Sequence, residues 1–558
     1  VTIGLANDPF GQSCQISGNS SFSNVTSNIS GVAVDCEDIP VISARVNDFF
    51  SGDAITGTDV QLSRQEAGAT ITETAALDAE GVAQFEVPLN AGRVSFSVDP
   101  ASYGAQSVVI EGPEDASAAN ANIFVQPSDL TTTFSNATGG TISLDGDALV
   151  ELPTDGFVDS AGNLATGDVS LELTVIDPSR DSDLMPGDYQ AVDPQTGETS
   201  SIESFGAMDL TFEDAGGNAL DLAAGKTATL RIPVANRVEG QAPASIPLYY
   251  YDEDAGYWIE EGSATLTTLA SGEQVYEGSV SHFTTWNADI RTQTVRATGC
   301  VVDGDGQPLA NIRIRSEGVD YIGSSRVISD NSGVFSIPVR INSTLRISTL
   351  GTAQSRTIVI DSNGEDFTFA DAADPSSCLT ISSTELGAGS ATITLTWGEN
   401  PRDLDSQLFG VPNTPTESDT AFRIYYANRT VTFENTTLFL DVDDTSSFGP
   451  EIVTVPAFPY AGTYTYAVDL FSGTGSIQSS PARVELNLGD NVQVFGPPAG
   501  DPTACWAVAE FVVDAEGNIT TNELARWETD GFCRQGPQTE ANKGISPFPP
   551  RAPKVSAE

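Results

Sequence analysis

Residues 82–89, VAQFEVPL, set Ala83, Phe85, Val87 and Leu89 on one side of an extended chain and Gln84 and Glu86 on the other. The same two-residue period recurs in PVISARVND, where Ile42, Ala44 and Val46 share a face, and in RVSFSV, where Val94, Phe96 and Val98 do. Side chains alternate in this way on a strand and not on a helix. Turn residues interrupt the pattern at short intervals, which is the signature of antiparallel sandwiches. Helical periodicity is scarce, and the best short helix candidate is TTNELARW at 520–527. With 558 residues, the chain has room for roughly three to five domains. The expected fold class is therefore all-β, a tandem array of antiparallel β-sandwiches with extended terminal segments.

An internal repeat sharpens this. Residues 41–99 run ARVNDFFSGDAITGTDVQLSR, LDAEGVAQFEV and RVSFSV; residues 297–349 run GCVVDGDGQPLANIRIRS, SDNSGVFSIPV and TLRIS. Asp78 and Gly81 correspond to Asp330 and Gly333, and Phe85 and Val87 to Ile337 and Val339. Each Asp–Gly pair marks a tight turn, in which the carboxylate caps the backbone and the glycine takes a positive φ. Both copies resemble carboxypeptidase regulatory-like domains, at about 41–128 and 295–376. The second copy carries that family's V-x-D-x-x-G-x-P-L and D-x-x-G-x-F turns as VVDGDGQPL and DNSGVF. In the first, Phe49–Phe50 and an insertion replace the compact opening turn. The resemblance implies seven-strand, transthyretin-like, Ig-like sandwiches that serve as non-catalytic spacers or adhesive modules.

The remaining domains follow from other motifs. Residues 129–294 form a larger expected sandwich, in which YDEDAGYW precedes HFTTWN. This run is similar to the sandwich of cartilage intermediate layer proteins and implies an extracellular matrix or surface role by analogy alone. Residues 377–535 carry LTWGENPRDLDSQLFG and DVDDTSSFGPE. They resemble a bacterial sandwich module marked by a Trp strand and a P-x-D-L-D-S motif, which implies a fold but no activity. Residues 1–40 form a Ser-, Asn- and Gly-rich extended segment with a candidate donor strand at Val1–Phe10. Residues 536–558 form a Pro-rich tail in which Pro547–Pro553 suits polyproline II.

Charge excludes whole classes of partner. Against 77 Asp and Glu stand 24 Lys and Arg, a net charge of −53. Nucleic acid is excluded, because phosphate contacts need clustered Lys and Arg, and so is an anionic membrane surface. The three lysines are Lys226, Lys543 and Lys554, too few for a Lys–Asn isopeptide staple in each module. The six cysteines pair most simply as neighbours in sequence: Cys14–Cys36, Cys300–Cys378 and Cys505–Cys533. Such bonds imply an oxidising, extracellular or surface location. No apolar run of about 18 residues predicts a membrane-spanning helix. The start at Val1 fits a processed mature chain.

The best candidate site is acidic. Asp403 and Asp405 lie two apart on an expected strand and so share a face. Asp441, Asp443 and Asp444 lie in the second motif of the same domain. If the two segments pair, their carboxylates converge, and hard oxygen ligands at that density suit Ca²⁺. The competing reading is turn capping at solvated strand ends, with Arg402 and Arg423 as partners. Asp303–Gly306 reads as a hairpin turn. The single histidine, His282, lacks any accompanying G-x-S-x-G nucleophile motif and reads as structural beside Trp286. Four of the five tryptophans sit in strand contexts and read as core. No enzyme is expected. The leading functional expectation is a secreted structural protein, a self-polymerising subunit of an extracellular fibre or surface layer. A monomeric adhesin with calcium-dependent glycan or cell-surface binding, and a secreted hydrolase with accessory sandwiches, are the alternatives.

Overall fold

The structure is a computed structural model. It describes residues 10–17, 33–49, 53–66, 68–89, 91–112, 119–179, 181–235, 242–349, 358–381, 390–397, 400–416, 420–434, 436–443, 445, 450–480, 482–488, 491–498 and 500–537. The fold is all-β, four sandwiches in tandem, each with its own apolar core. Before the first lies a separate ribbon of β1 (Gln12–Ser17) and β2 (Ala33–Asp38), in which Cys14 and Cys36 are directly opposed and disulfide-bonded.

The first sandwich packs a three-stranded sheet on a four-stranded one. The smaller sheet is built from β3 (Val41–Asp48), β6 (Val82–Glu86) and β9 (Ala119–Val125). The larger is β4 (Asp59–Glu66), β5 (Ala69–Ala76), β7 (Arg93–Val98) and β8 (Gln106–Glu111), in the order β5-β4-β7-β8. Alternation explains the core: Ile42, Ala44, Val46, Ala83, Phe85 and Val87 are all buried, and Phe85 meets Phe96 edge-on at 5.5 Å. Leu89 departs from the pattern and is 45% exposed, because β6 ends at Glu86.

The second sandwich is one continuous eleven-stranded sheet around a single core. The third repeats the plan of the first, with Ser324–Ile328, Arg313–Gly318, Thr344–Thr349 and Ile358–Asp361 as its outer sheet. It runs on to Ile381, because Leu379–Ile381 pairs in parallel with Thr294–Asp303 and Cys378 is bonded to Cys300. The fourth packs a six-stranded sheet on a five-stranded one. There the sequence expectation fails at TTNELARW: Ile519–Glu528 is an edge strand antiparallel to Cys505–Val513. Strand pairing overrides local propensity here, and the short helix instead follows at Asp530–Gln535, tied down by Cys505–Cys533.

One turn recurs in the first, second, third and fourth sandwiches. Asp78, Asp159, Asp214, Asp303, Asp330 and Asp514 each begin an Asp-x-x-Gly hairpin turn. In each, the Asp side chain accepts from the backbone N–H groups two and four residues on. The glycine three residues on takes a φ between 71° and 87°. Where asparagine follows the glycine, its amide also donates to the Asp, and this bond chiefly holds Asp159, Asp214 and Asp514 below the usual carboxylate range. The turn therefore consumes charge as a backbone acceptor, which explains part of the chain's acidity.

The sandwiches are joined by a loop of the second, residues 181–188. Asp188 takes a two-pronged bond from Arg93 of the first sandwich at 2.6 and 2.9 Å, and Gly187 N–H donates to Ser107 O at 2.7 Å. Asp183 accepts from Arg315 and Arg326 of the third at 2.9 and 2.5 Å. Asp181 meets Arg483 of the fourth. Around these lie Glu317, bonded to Arg315 and Arg346, and Glu485, bonded to Arg483. Burial alone would raise Glu485, but Arg483, Arg315 and Arg346 hold it down at about 2.

Two outcomes test these assignments. A side chain at Gly333 would run into the Val301 carbonyl, whereas one at Gly162 meets nothing within 4 Å. Gly162→Ala should cost about 1 kcal/mol, the strain of the left-handed backbone, and Gly333→Ala about 1–3 kcal/mol more; equal shifts in denaturant midpoint would contradict this. Glu203, 2% exposed, is pushed up to about 7 by burial, against the pull of Arg340. A raised carboxyl contributes stability fully below its unfolded value and loses it as pH rises through the folded one, here between about 4.5 and 7. Glu203→Gln should flatten that slope and raise Tm at pH 8; a lower Tm there would mean the Arg340 pair outweighs burial.

Candidate metal centre

Among the described residues, part of one strand of the fourth sandwich has no paired strand on one side. Asp403–Pro412 pairs along its length with Gly462–Ser472. On its other side Phe422–Ile424 pairs only with Leu408–Gly410. Beyond that short strand, Ser406 N–H donates to the carboxylate of Glu451, which begins a strand of the opposite sheet, Glu451–Val455. Glu451 thus bridges the two sheets at the open flank.

Carboxylates gather there. One oxygen each of Asp405, Asp443 and Glu451 lies within 4.8 Å of the others. Asp405 and Glu451 are fully buried, and Asp469, directly opposite Asp405 in the register, is fully buried too. Arg429 stands at the rim, 3.9 Å from Asp443. The Ser406 and Tyr466 hydroxyls share a 2.6 Å bond beside the cluster, and burial, together with the charge of Glu451, pushes the Tyr466 hydroxyl well above its ordinary range.

This donor set fits a hard cation. All three side chains offer oxygen, with no nitrogen or sulfur in the group. A calcium–oxygen distance of about 2.4 Å places ligand oxygens on opposite sides of the ion about 4.8 Å apart. Three carboxylates within that span suit Ca²⁺, whose six to eight ligands would be completed by further oxygens. The chemistry available is structural, because a cation here would tie the flank of one sheet to the other.

The five expected ligands have different fates. Asp405 and Asp443 come together. Asp403 is buried, at the end of its strand where the register with Gly462–Ser472 shifts. It lies outside the three-residue group. Asp441 is in the strand Thr437–Val442, with its side chain outside the described residues, as is the whole of Asp444. Glu451 is the member of the group that was missed; it stands in the sequence only as the glutamate closing DVDDTSSFGPE. The two arginines are occupied elsewhere: Arg402 donates to Thr445 O, and Arg423 donates to Gln407 Oε1 and to the Cys533 and Arg534 carbonyls. Arg423 so fastens the last helix behind the site.

Other candidates read as structure. His282 packs on Trp286 at 5.0 Å and Tyr250 at 4.6 Å, and its carbonyl accepts from the Trp286 indole. Trp258, Trp286, Trp397 and Trp506 are at most 1% exposed, so none offers a face for a sugar to stack on. Asp303 makes the hairpin turn described above.

No protein-family model and no curated protein matches the chain. Among solved structures, a homologue of the telluride resistance protein TerD from Streptomyces coelicolor A3(2) overlaps 26% of this chain and 92% of its own, at 15% identity and a TM-score of 0.20. BcpA, the major pilin subunit of Bacillus cereus, overlaps 60% of this chain and 98% of its own, at 8% identity and a TM-score of 0.14. The full-length major pilin SpaD from Corynebacterium diphtheriae overlaps 60% and 96%, at 9% identity and 0.14. At these scores the assignment of a role rests on this chain's own residues.

If the cluster holds a cation, Ca²⁺ at about 100 times its dissociation constant should stabilise the protein by about 2.7 kcal/mol. Asp405→Asn should abolish that response in calorimetric titration while leaving the EGTA-treated protein as stable as the parent or more so, because a repulsive charge is gone. A variant that loses stability in EGTA and still binds Ca²⁺ would refute the assignment.

Proposed function

We propose that this chain is a non-enzymatic structural protein of an extracellular fibre or surface layer, polymerised through its terminal segments. The observation that carries the reading is the loop 181–188. By binding arginines of the first, third and fourth sandwiches, it joins four domains that would otherwise swing on linkers. A stiff repeating body suits a structural subunit. The three disulfides favour an oxidising exterior. Among the described residues no helix is long and apolar enough to cross a membrane.

In this reading, Val1–Phe10 supplies a strand to a neighbouring copy, and Pro547–Pro553 lies extended against another. Residues 1–9 and 538–558 fall outside the described residues. A cation at Asp405, Asp443 and Glu451 would brace the fourth sandwich in the assembly. The adhesin is the second reading, favoured by the partly exposed Tyr426 and Phe471 at the open end of the fourth sandwich, whose rings meet at 5.6 Å.

Electron microscopy of the purified protein, with and without EGTA, should show regular filaments or sheets. Deleting residues 1–13 should abolish them while leaving thermal unfolding of the sandwiches in place. Dispersed particles at high concentration, or polymers unchanged by the deletion, would overturn the reading.

A further inference from the structure

We infer that the outer edge of β5 is the acceptor for Val1–Asn7 of a second copy; this rests on the fibre reading above. β5 pairs with β4 over eight residues without a register shift, from Asp59↔Ala76 to Glu66↔Ala69. It ends its sheet, so no described strand pairs with its outer side. Such an edge is a ready template for another chain, and natural edges are usually guarded by charge, proline or a bulge. β5 has no lysine, no proline and no bulge; its one charge, Glu73, is paired with Arg64 at 2.7 Å. The edge strand of the fourth sandwich, Ile519–Glu528, shows the contrast: it has a register shift and carries Glu523, Arg526 and Glu528.

The internal repeat supplies an independent argument. The counterpart of β5 in the third sandwich is Ser324–Ile328, which likewise precedes the Asp-x-x-Gly turn and ends its sheet. That edge is covered. Ile322 O accepts Ser204 N–H of the second sandwich at 3.1 Å, and Arg326 holds Asp183. None of Ser324–Ile328 is exposed, whereas Ala69, Thr70, Thr72, Thr74 and Ala76 are. The other end of the first sandwich's sheet is also closed, by the Gly187–Ser107 bond. The molecule docks on this edge in one copy of the repeat and, among the described residues, leaves it open in the other.

Charge and pattern choose the occupant. Residues 1–34 contain one acidic residue, Asp8, and no base, in a chain of net charge −53. This stretch can approach another copy with little repulsion. Val1, Ile3 and Leu5 alternate with Thr2 and Gly4. Added beside β5, they would face the same side as half-exposed Ile71 and Ala75, and Thr2 and Gly4 would lie beside Thr72.

The test places the photoreactive residue p-benzoylphenylalanine at position 72 of the full chain, with equal light and heavy isotope-labelled protein mixed before assembly. Irradiation should give cross-links from position 72 to a peptide within residues 1–7, including mixed light–heavy pairs. Exclusively unmixed pairs would show that each chain fills its own edge and would overturn the inference. Filaments without this cross-link would overturn it and leave the fibre reading standing. Mixed cross-links in a protein that forms no filament or sheet would keep the edge contact and end the fibre reading.

Discussion

Asp181, Asp183 and Asp188 hold arginines of three different sandwiches, and the arrangement of the whole molecule depends on them. An ion buried without a partner is costly, and Asp181, Asp183 and Asp188 meet their arginines across sandwich boundaries. At the junction of the second, third and fourth sandwiches, Asp181, Asp183, Glu317 and Glu485 face Arg315, Arg326, Arg346 and Arg483. The signs balance within a chain whose sum is −53. Buried pairs of this kind add little net stability over apolar packing, but removing one partner leaves the other stranded. Their contribution is to select one arrangement of domains over others.

The remaining acidity divides by location. At the surface, the Asp-x-x-Gly turns use carboxylates as acceptors for backbone N–H groups, and these aspartates need no cation nearby. In the interior, the arginine network neutralises the junction. At Asp405, Asp443 and Glu451 three carboxylates gather in one place, with Ser406 N–H donating to Glu451 and Arg429 3.9 Å from Asp443. A divalent cation bound there would take the part that arginines take elsewhere.

How much of this was legible in the sequence depends on the range of the interaction. Period-two alternation is local, so Ile42, Ala44, Val46, Phe85 and Phe96 were assigned to a core correctly. The Asp-x-x-Gly turn is also local, and it exposed the repeat. Leu89 was misplaced because alternation does not mark where a strand stops. TTNELARW was misread because its strand state comes from pairing with Cys505–Val513, a partner its own residues do not reveal. In the site, Asp405 and Asp443 were found from motif density. Asp403 lies outside the group, and Glu451 was overlooked because it reaches the group from the opposite sheet, through its bond to Ser406 N–H. The role of the loop at 181–188 was not legible, since its partners lie in three other domains.

Net charge also restricts where copies of this chain can touch. Like charges within about 8–10 Å repel at physiological ionic strength, and this chain carries a net charge of −53. Contacts between copies must fall where charge is sparse or already neutralised. The first 34 residues meet the former condition, and β5, with Glu73 held by Arg64, meets the latter. Like charge of this size resists self-association, so a fibre of this chain would have few surfaces on which to form.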